Sequence, residues 1–173
     1  MITLQQSKKA LFIFGFLTSI MFVIVMFIVN PMIDGKTGIE VIKLQLSFRT
    51  NTGKLIIEKW NDIGRQNFIK YIYTDYIYAF SYAFFLATLY LYKIRKNNIT
   101  ITKKQVIIIT LPFIAGIFDI IENTIEILFI QNPNNFSELL FGFHTIVAIL
   151  KWLGLPIILY FIIKPIKKMK LNN

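Results

Sequence analysis

The chain has 173 residues, 55% of them apolar and 16% charged, with a formal net charge of +10 and no cysteine. A soluble domain of this length is less apolar and more charged, so that class is excluded. The missing cysteine excludes disulfides, thiol catalysis and cysteine-bound metals.

Four segments reach the roughly 20 apolar residues that cross about 30 Å of hydrocarbon: 10–29, 71–92, 105–130 and 139–163. The expected fold is an all-α integral membrane protein, a four-helix bundle in one domain. The first segment, ALFIFGFLTSIMFVIVMFIV, follows Lys8 and Lys9 as a signal peptide would. Its apolar core is too long for one, and FIVNPMIDG offers no small-x-small cleavage site, so a retained first helix is expected.

Residues 30–70 are too long and too patterned for a bare connection. After DGKTG, Ile42, Leu44, Leu46 and Phe48 alternate with Lys43, Gln45, Ser47 and Arg49, a period of two that predicts a short strand. In KLIIEKWNDIG, Ile56, Trp60 and Ile63 fall on one face of a short helix that Gly64 would end. A hairpin pairing 42–48 with 54–58 is the alternative. Either way the segment forms a small cap on the outer end of the bundle, with Trp60 suited to the headgroup level.

Charge sets the orientation. The N-terminal tail, the 93–104 connection and the 164–173 tail carry eleven basic residues and no acidic one. The 30–70 segment is mixed, with seven basic and four acidic residues, and the 131–138 connection has Glu138 alone. The positive-inside rule then places both termini in the cytoplasm, as an even number of spans requires. A bacterial inner membrane is the expected location. The basic segments suit anionic headgroups rather than nucleic acid.

The third span carries the chemistry. Asp119, Glu122, Asn123 and Glu126 are spaced i, i+3, i+4 and i+7, on one helical face. An acid at mid-bilayer costs about 2.5–3.5 kcal/mol, whereas an Ile, Leu or Phe returns about 0.3–0.6. This face must therefore turn toward protein or water. Counting depth from the outer end, Lys151 on the fourth span matches Asp119, and His144 lies near the level of Glu126. Asp75 enters from outside on the second span, with Tyr78 and Tyr82 on the stripe below it. The expected site is Asp75, Tyr82, Asp119, Glu122, Asn123, Glu126, His144 and Lys151, opening outward. Four acids facing one lysine and one histidine leave a charge deficit. A proton, a bound cation, or Arg65 or Lys70 folding in would meet it. With one histidine, zinc-hydrolase arrangements lack ligands, and no metal or cofactor is assigned. Gly142, Gly154 and Pro156 suggest close helix approach or a kink.

Several of these residues form a familiar pattern. WNDIGR at 60–65 precedes Asp75 and Tyr82, Asp119-x-x-Glu122-Asn123 follows in the third span, and Lys151-Trp152 in the fourth. Together they resemble a group of small, uncharacterised four-helix bacterial inner-membrane proteins. The resemblance covers roughly residues 42–155 and implies the topology and the choice of polar residues, but no activity.

Three functions fit. The first is a module that binds or passes a proton, a cation or an amphiphilic small molecule. The second is a structural or accessory subunit of a larger membrane complex, its polar face locking the helices. A weaker third is a lipid-modifying enzyme using His144 with Glu126 or Asp75. No complete catalytic set is present, so an enzyme is not the leading expectation. Four helices are few for a transport path, which makes a homodimer or a membrane-complex partner the expected association.

Overall fold

The computed structural model describes residues 2–29, 38–133 and 137–164. Among them every element is helical: α1 (Leu4–Val23), α2 (Gly38–Leu46), α3 (Thr50–Lys59), α4 (Asp62–Lys96), α5 (Lys103–Gln131) and α6 (Glu138–Ile163). Four helices, Leu4–Ile28, Asp62–Lys96, Lys103–Gln131 and Glu138–Ile163, are long and apolar enough to cross a membrane. At 1.5 Å per residue, α6 alone is about 39 Å long.

The helix ends follow from local sequence. Thr3 forms a capping box with Gln6 at α1, and Thr102 with Gln105 at α5. Asn61 and Ser137 cap α4 and α6, accepting from the amides of Gly64 at 2.7 Å and Leu140 at 3.1 Å. In α4 Asp62 occupies the first turn and Lys93, Arg95 and Lys96 the last, each suited to the helix dipole. Asn98, at φ 53°, turns the chain between α4 and α5, a backbone conformation that asparagine tolerates. Beyond Val23, α1 continues as π-helical turns over Ile24–Val29.

The long helices pack antiparallel in chain order. α1 leans chiefly on α4 through Phe14 on Phe84, with ring centroids 4.8 Å apart, and Phe22 near Tyr78. Apolar side chains such as Phe12, Phe16 and Phe27 cover the outside of α1 and are exposed. α4 and α5 approach closely at Gly116, where an added Cβ would lie 3.4 Å from the Ala79 carbonyl and from Ala83. α4, α5 and α6 thus enclose the core. At Gly154 the nearest neighbour of an added Cβ is Ala115 at 3.8 Å, and at Gly142 nothing lies within 4 Å. The expected close approach at these two glycines is therefore not what packs α6.

The strand expected over 42–48 is a helix. Val41, Leu44 and Gln45 share one buried helical face, while Ile42 and Leu46 are exposed. The period of two failed because no strand among the described residues partners the segment, and an α-helix satisfies its own backbone. α2 and α3 form an antiparallel helical hairpin. Glu40 meets Lys59 at 2.5 Å and accepts from the Trp60 indole at 3.3 Å, and Leu44 approaches Gly53. The turn between them is braced by the Ser47 hydroxyl, which accepts from the Arg49 amide at 3.1 Å.

Two further expectations are corrected. Trp60 is buried against Phe68, with ring centroids 4.7 Å apart, rather than placed at a headgroup surface. Gly64 does not end a helix but lies in the first turn of α4, which begins at Asp62 instead of 71; Ile63 is exposed. The connection expected over 93–104 shortens to 97–102. The basic tail beyond Lys164 lies outside the described residues.

The hairpin is part of the main core. Val41, Leu44, Ile56, Ile57 and Trp60 pack with Phe68 and Ile72 of α4, Ile125 and Phe129 of α5 and Phe141 of α6. The opposite end of the bundle holds the 97–102 turn, where the Lys93 ammonium donates to the carbonyls of Ile162 and Lys164.

Candidate functional site

All eight expected site residues are buried in one continuous cluster between α4, α5 and α6. The i, i+3, i+4, i+7 spacing on α5 turns Asp119, Glu122, Asn123 and Glu126 inward together, each at most 4% exposed.

The half of the cluster farther from the hairpin is an ion-pair network. Lys151 Nζ lies 3.1 Å from Asp119 Oδ1 and 2.6 Å from Glu122 Oε2. The Tyr82 hydroxyl donates to the other Asp119 oxygen at 3.0 Å. One ammonium thus spans two carboxylates one helical turn apart, and a phenol completes Asp119. Asp75 is held separately on α4, accepting from the Asn123 amide at 2.9 Å.

The half nearer the hairpin is built differently. One ring nitrogen of His144, Nε2, is 3.3 Å from Glu126 Oε1. The ring packs against both Phe129 and Phe141, at centroid distances of 5.3 and 5.8 Å. One ligand atom each from Glu122, Glu126 and His144 lie within 4.8 Å of one another. Four buried atoms here, Glu122 Oε1, Asn123 Oδ1, Glu126 Oε2 and His144 Nδ1, have no hydrogen-bond partner among the described residues. Each such atom costs roughly 1–3 kcal/mol when left without a partner.

The hairpin reaches this half. The Thr145 hydroxyl donates to the Ser47 carbonyl at 2.6 Å, and the Trp152 indole donates to Gln45 Oε1 at 3.3 Å. The Gln45 side chain also neighbours Glu126. Sequence reasoning placed Gln45 on the polar side of a strand and so missed it. Its signal was the Val41, Leu44, Gln45 spacing of i, i+3, i+4.

The depth pairings Asp119 with Lys151 and Glu126 with His144 both form. Arg65 and Lys70 do not enter the cluster. Arg65 pairs with Asp62 and Lys70 bonds to Asn67 on the surface of α4. The expected opening is absent among the described residues: all eight residues are at most 7% exposed, and Gln45 of the hairpin reaches Glu126. Chemically, the site offers two carboxylates and an imidazole facing one another, beside an internally compensated lysine.

No protein-family model, curated protein or solved structure matches the chain.

Proposed function

We propose that this is a multi-pass membrane protein whose buried acid–histidine cluster binds or passes a small polar species: a proton, a cation or the head of an amphiphile. The observation that supports it is the set of four buried polar atoms without partners around Glu122, Glu126 and His144. A cluster that served only as a lock is most stable when every member is hydrogen-bonded, so these atoms favour a role beyond locking.

The orientation follows the positive-inside rule, with the termini and the 97–102 turn cytoplasmic in a bacterial inner membrane. Counting about 20 residues from Lys93, Lys103 and Lys164 then puts Asp75, Glu126 and His144 near the outer edge of the hydrocarbon. Asp119 and Lys151 lie deeper. The hairpin becomes an external lid over the cluster, with Ile39, Ile42, Leu46 and Leu55 exposed toward the lipid boundary.

Native mass spectrometry of protein extracted mildly from its membrane tests the reading. A discrete adduct present in the wild type and lost in Glu122→Gln is expected. Adduct-free wild type that co-purifies with another membrane protein would replace it with the accessory-subunit reading. That second reading has its own observation in the Asp119–Lys151–Glu122 network, which alone would fix helix register.

A further inference from the structure

We infer that Glu122, Glu126 and His144 form a binding site for a divalent transition-metal ion of the zinc type. This inference rests on the binding-site reading and narrows its ligand.

Three features carry it. The first is geometry. The three ligand atoms lie within 4.8 Å of one another, and the His144–Glu126 edge is 3.3 Å. Zinc bonds of about 2.0–2.1 Å in a tetrahedron give ligand-to-ligand edges of about 3.3–3.4 Å. One edge already has that length, and a side-chain rotation of Glu122 shortens the others. The second is unmet bonding capacity. Glu122, Glu126 and His144 are each 0% exposed, and each carries a buried atom with no partner. The partnerless atoms are Glu122 Oε1, Glu126 Oε2 and His144 Nδ1, beside rather than on the 3.3 Å edge. Lys151 reaches the other Glu122 oxygen and Gln45 bonds to Glu126, and the capacity left over is what a cation meets.

The third is charge. Asp75, Asp119, Glu122 and Glu126 face the single ammonium of Lys151. Fully ionised, they hold three uncompensated negative charges in a site with no other cation among its described neighbours. A divalent ion at Glu122 and Glu126 reduces that to one, located on Asp75, which Asn123 already supports. An imidazole in the donor set favours zinc and its neighbours over magnesium or calcium, which take oxygen ligands in larger number. Three protein ligands leave a fourth tetrahedral position for water, and two carboxylates with one imidazole differ from the ligand sets of zinc hydrolases, so the inference is of binding and not of hydrolysis.

The test is zinc content of the full chain, purified in mild detergent after loading with zinc and gel filtration, read by elemental mass spectrometry. Wild type is expected to hold close to one zinc per chain. Glu126→Gln and His144→Ala are expected to lower occupancy at fixed zinc by at least about tenfold. His144→Cys supplies a thiolate in a chain that has no other, and is expected to restore binding. If His144→Ala does not fold, His144→Gln takes its place in the comparison. Wild type that takes up no zinc overturns the inference, as does zinc retained equally in every variant. A zinc-free wild type that still carries another adduct lost in Glu122→Gln overturns the metal alone and leaves the binding site standing. A wild type with neither overturns both.

Discussion

Lys151 and Asp119 meet at 3.1 Å across the α5–α6 contact, and the same ammonium reaches Glu122 at 2.6 Å. Removing the cation strands two buried carboxylates, while removing one acid leaves the lysine paired. Lys151→Met is expected to cost about 3–5 kcal/mol and to reduce folded yield sharply. Adding Asp119→Asn to it is expected to recover part of the loss. Unfolding in detergent of the two single variants and the double variant measures the coupling; independent losses would refute the pairing.

Tyr82 makes one hydrogen bond that reaches Asp119 from α4. Tyr82→Phe keeps the ring and deletes only the donor to a charged acceptor. A destabilisation of about 1–3 kcal/mol is expected, with zinc occupancy unchanged because Tyr82 does not touch Glu126 or His144. An unfolding curve identical to wild type would show that Asp119 does not need the phenol.

Gly53 is where the hairpin sits tightest. A Cβ there would collide with the Phe141 ring, so Gly53→Ala must push the ring aside. The expected cost is about 1–3 kcal/mol, with faster hydrogen exchange confined to 38–59. Phe141→Leu is expected to suppress the effect, and exchange unchanged by Gly53→Ala would place the hairpin elsewhere.

The Lys59 ammonium beside Glu40, helped by the Trp60 indole, holds the Glu40 carboxyl below the usual glutamate range. A depressed carboxyl stabilises the fold fully above its unfolded value, and that contribution is lost as pH falls through the folded one. Lys59 is largely exposed, so the loss is small, under about 1 kcal/mol. Protection factors in α2, corrected for the intrinsic exchange rate at each pH, are expected to fall on acidification below the glutamate range, and Glu40→Gln is expected to remove that dependence. A variant with the wild-type pH profile would exclude Glu40 as its source.

The cysteine-free chain makes orientation directly readable. Single cysteines at the exposed positions Glu58 and Asn98 are expected to label from opposite sides of intact cells. An impermeant maleimide should reach Glu58→Cys and not Asn98→Cys. The reverse pattern would invert the topology.

The cluster was legible because helical spacing and the cost of charge in hydrocarbon leave few options. Asp119, Glu122, Asn123 and Glu126 could face only inward, and depth alone matched them to Lys151 and His144. The hairpin was less legible. Residues 41–48 carry both a period of two and an i, i+3, i+4 face in Val41, Leu44 and Gln45. Short windows do not separate the two; long-range packing on Phe141 and Thr145 does. Gly64 misled for a related reason, since a glycine after an apolar stripe marks a helix end, yet Asn61 three residues earlier was already the cap of the next helix.

The chain separation of Asp119 and Lys151, 32 residues, also has a meaning in time. At about 5–20 residues per second, the acid helix leaves the ribosome some 2–6 s before its counter-ion is made. Until then the acidic face of α5 meets from α4 the Tyr82 phenol and the Asp75 carboxyl that Asn123 bonds. In the proposed membrane setting, the third helix is therefore expected to insert together with the fourth rather than before it.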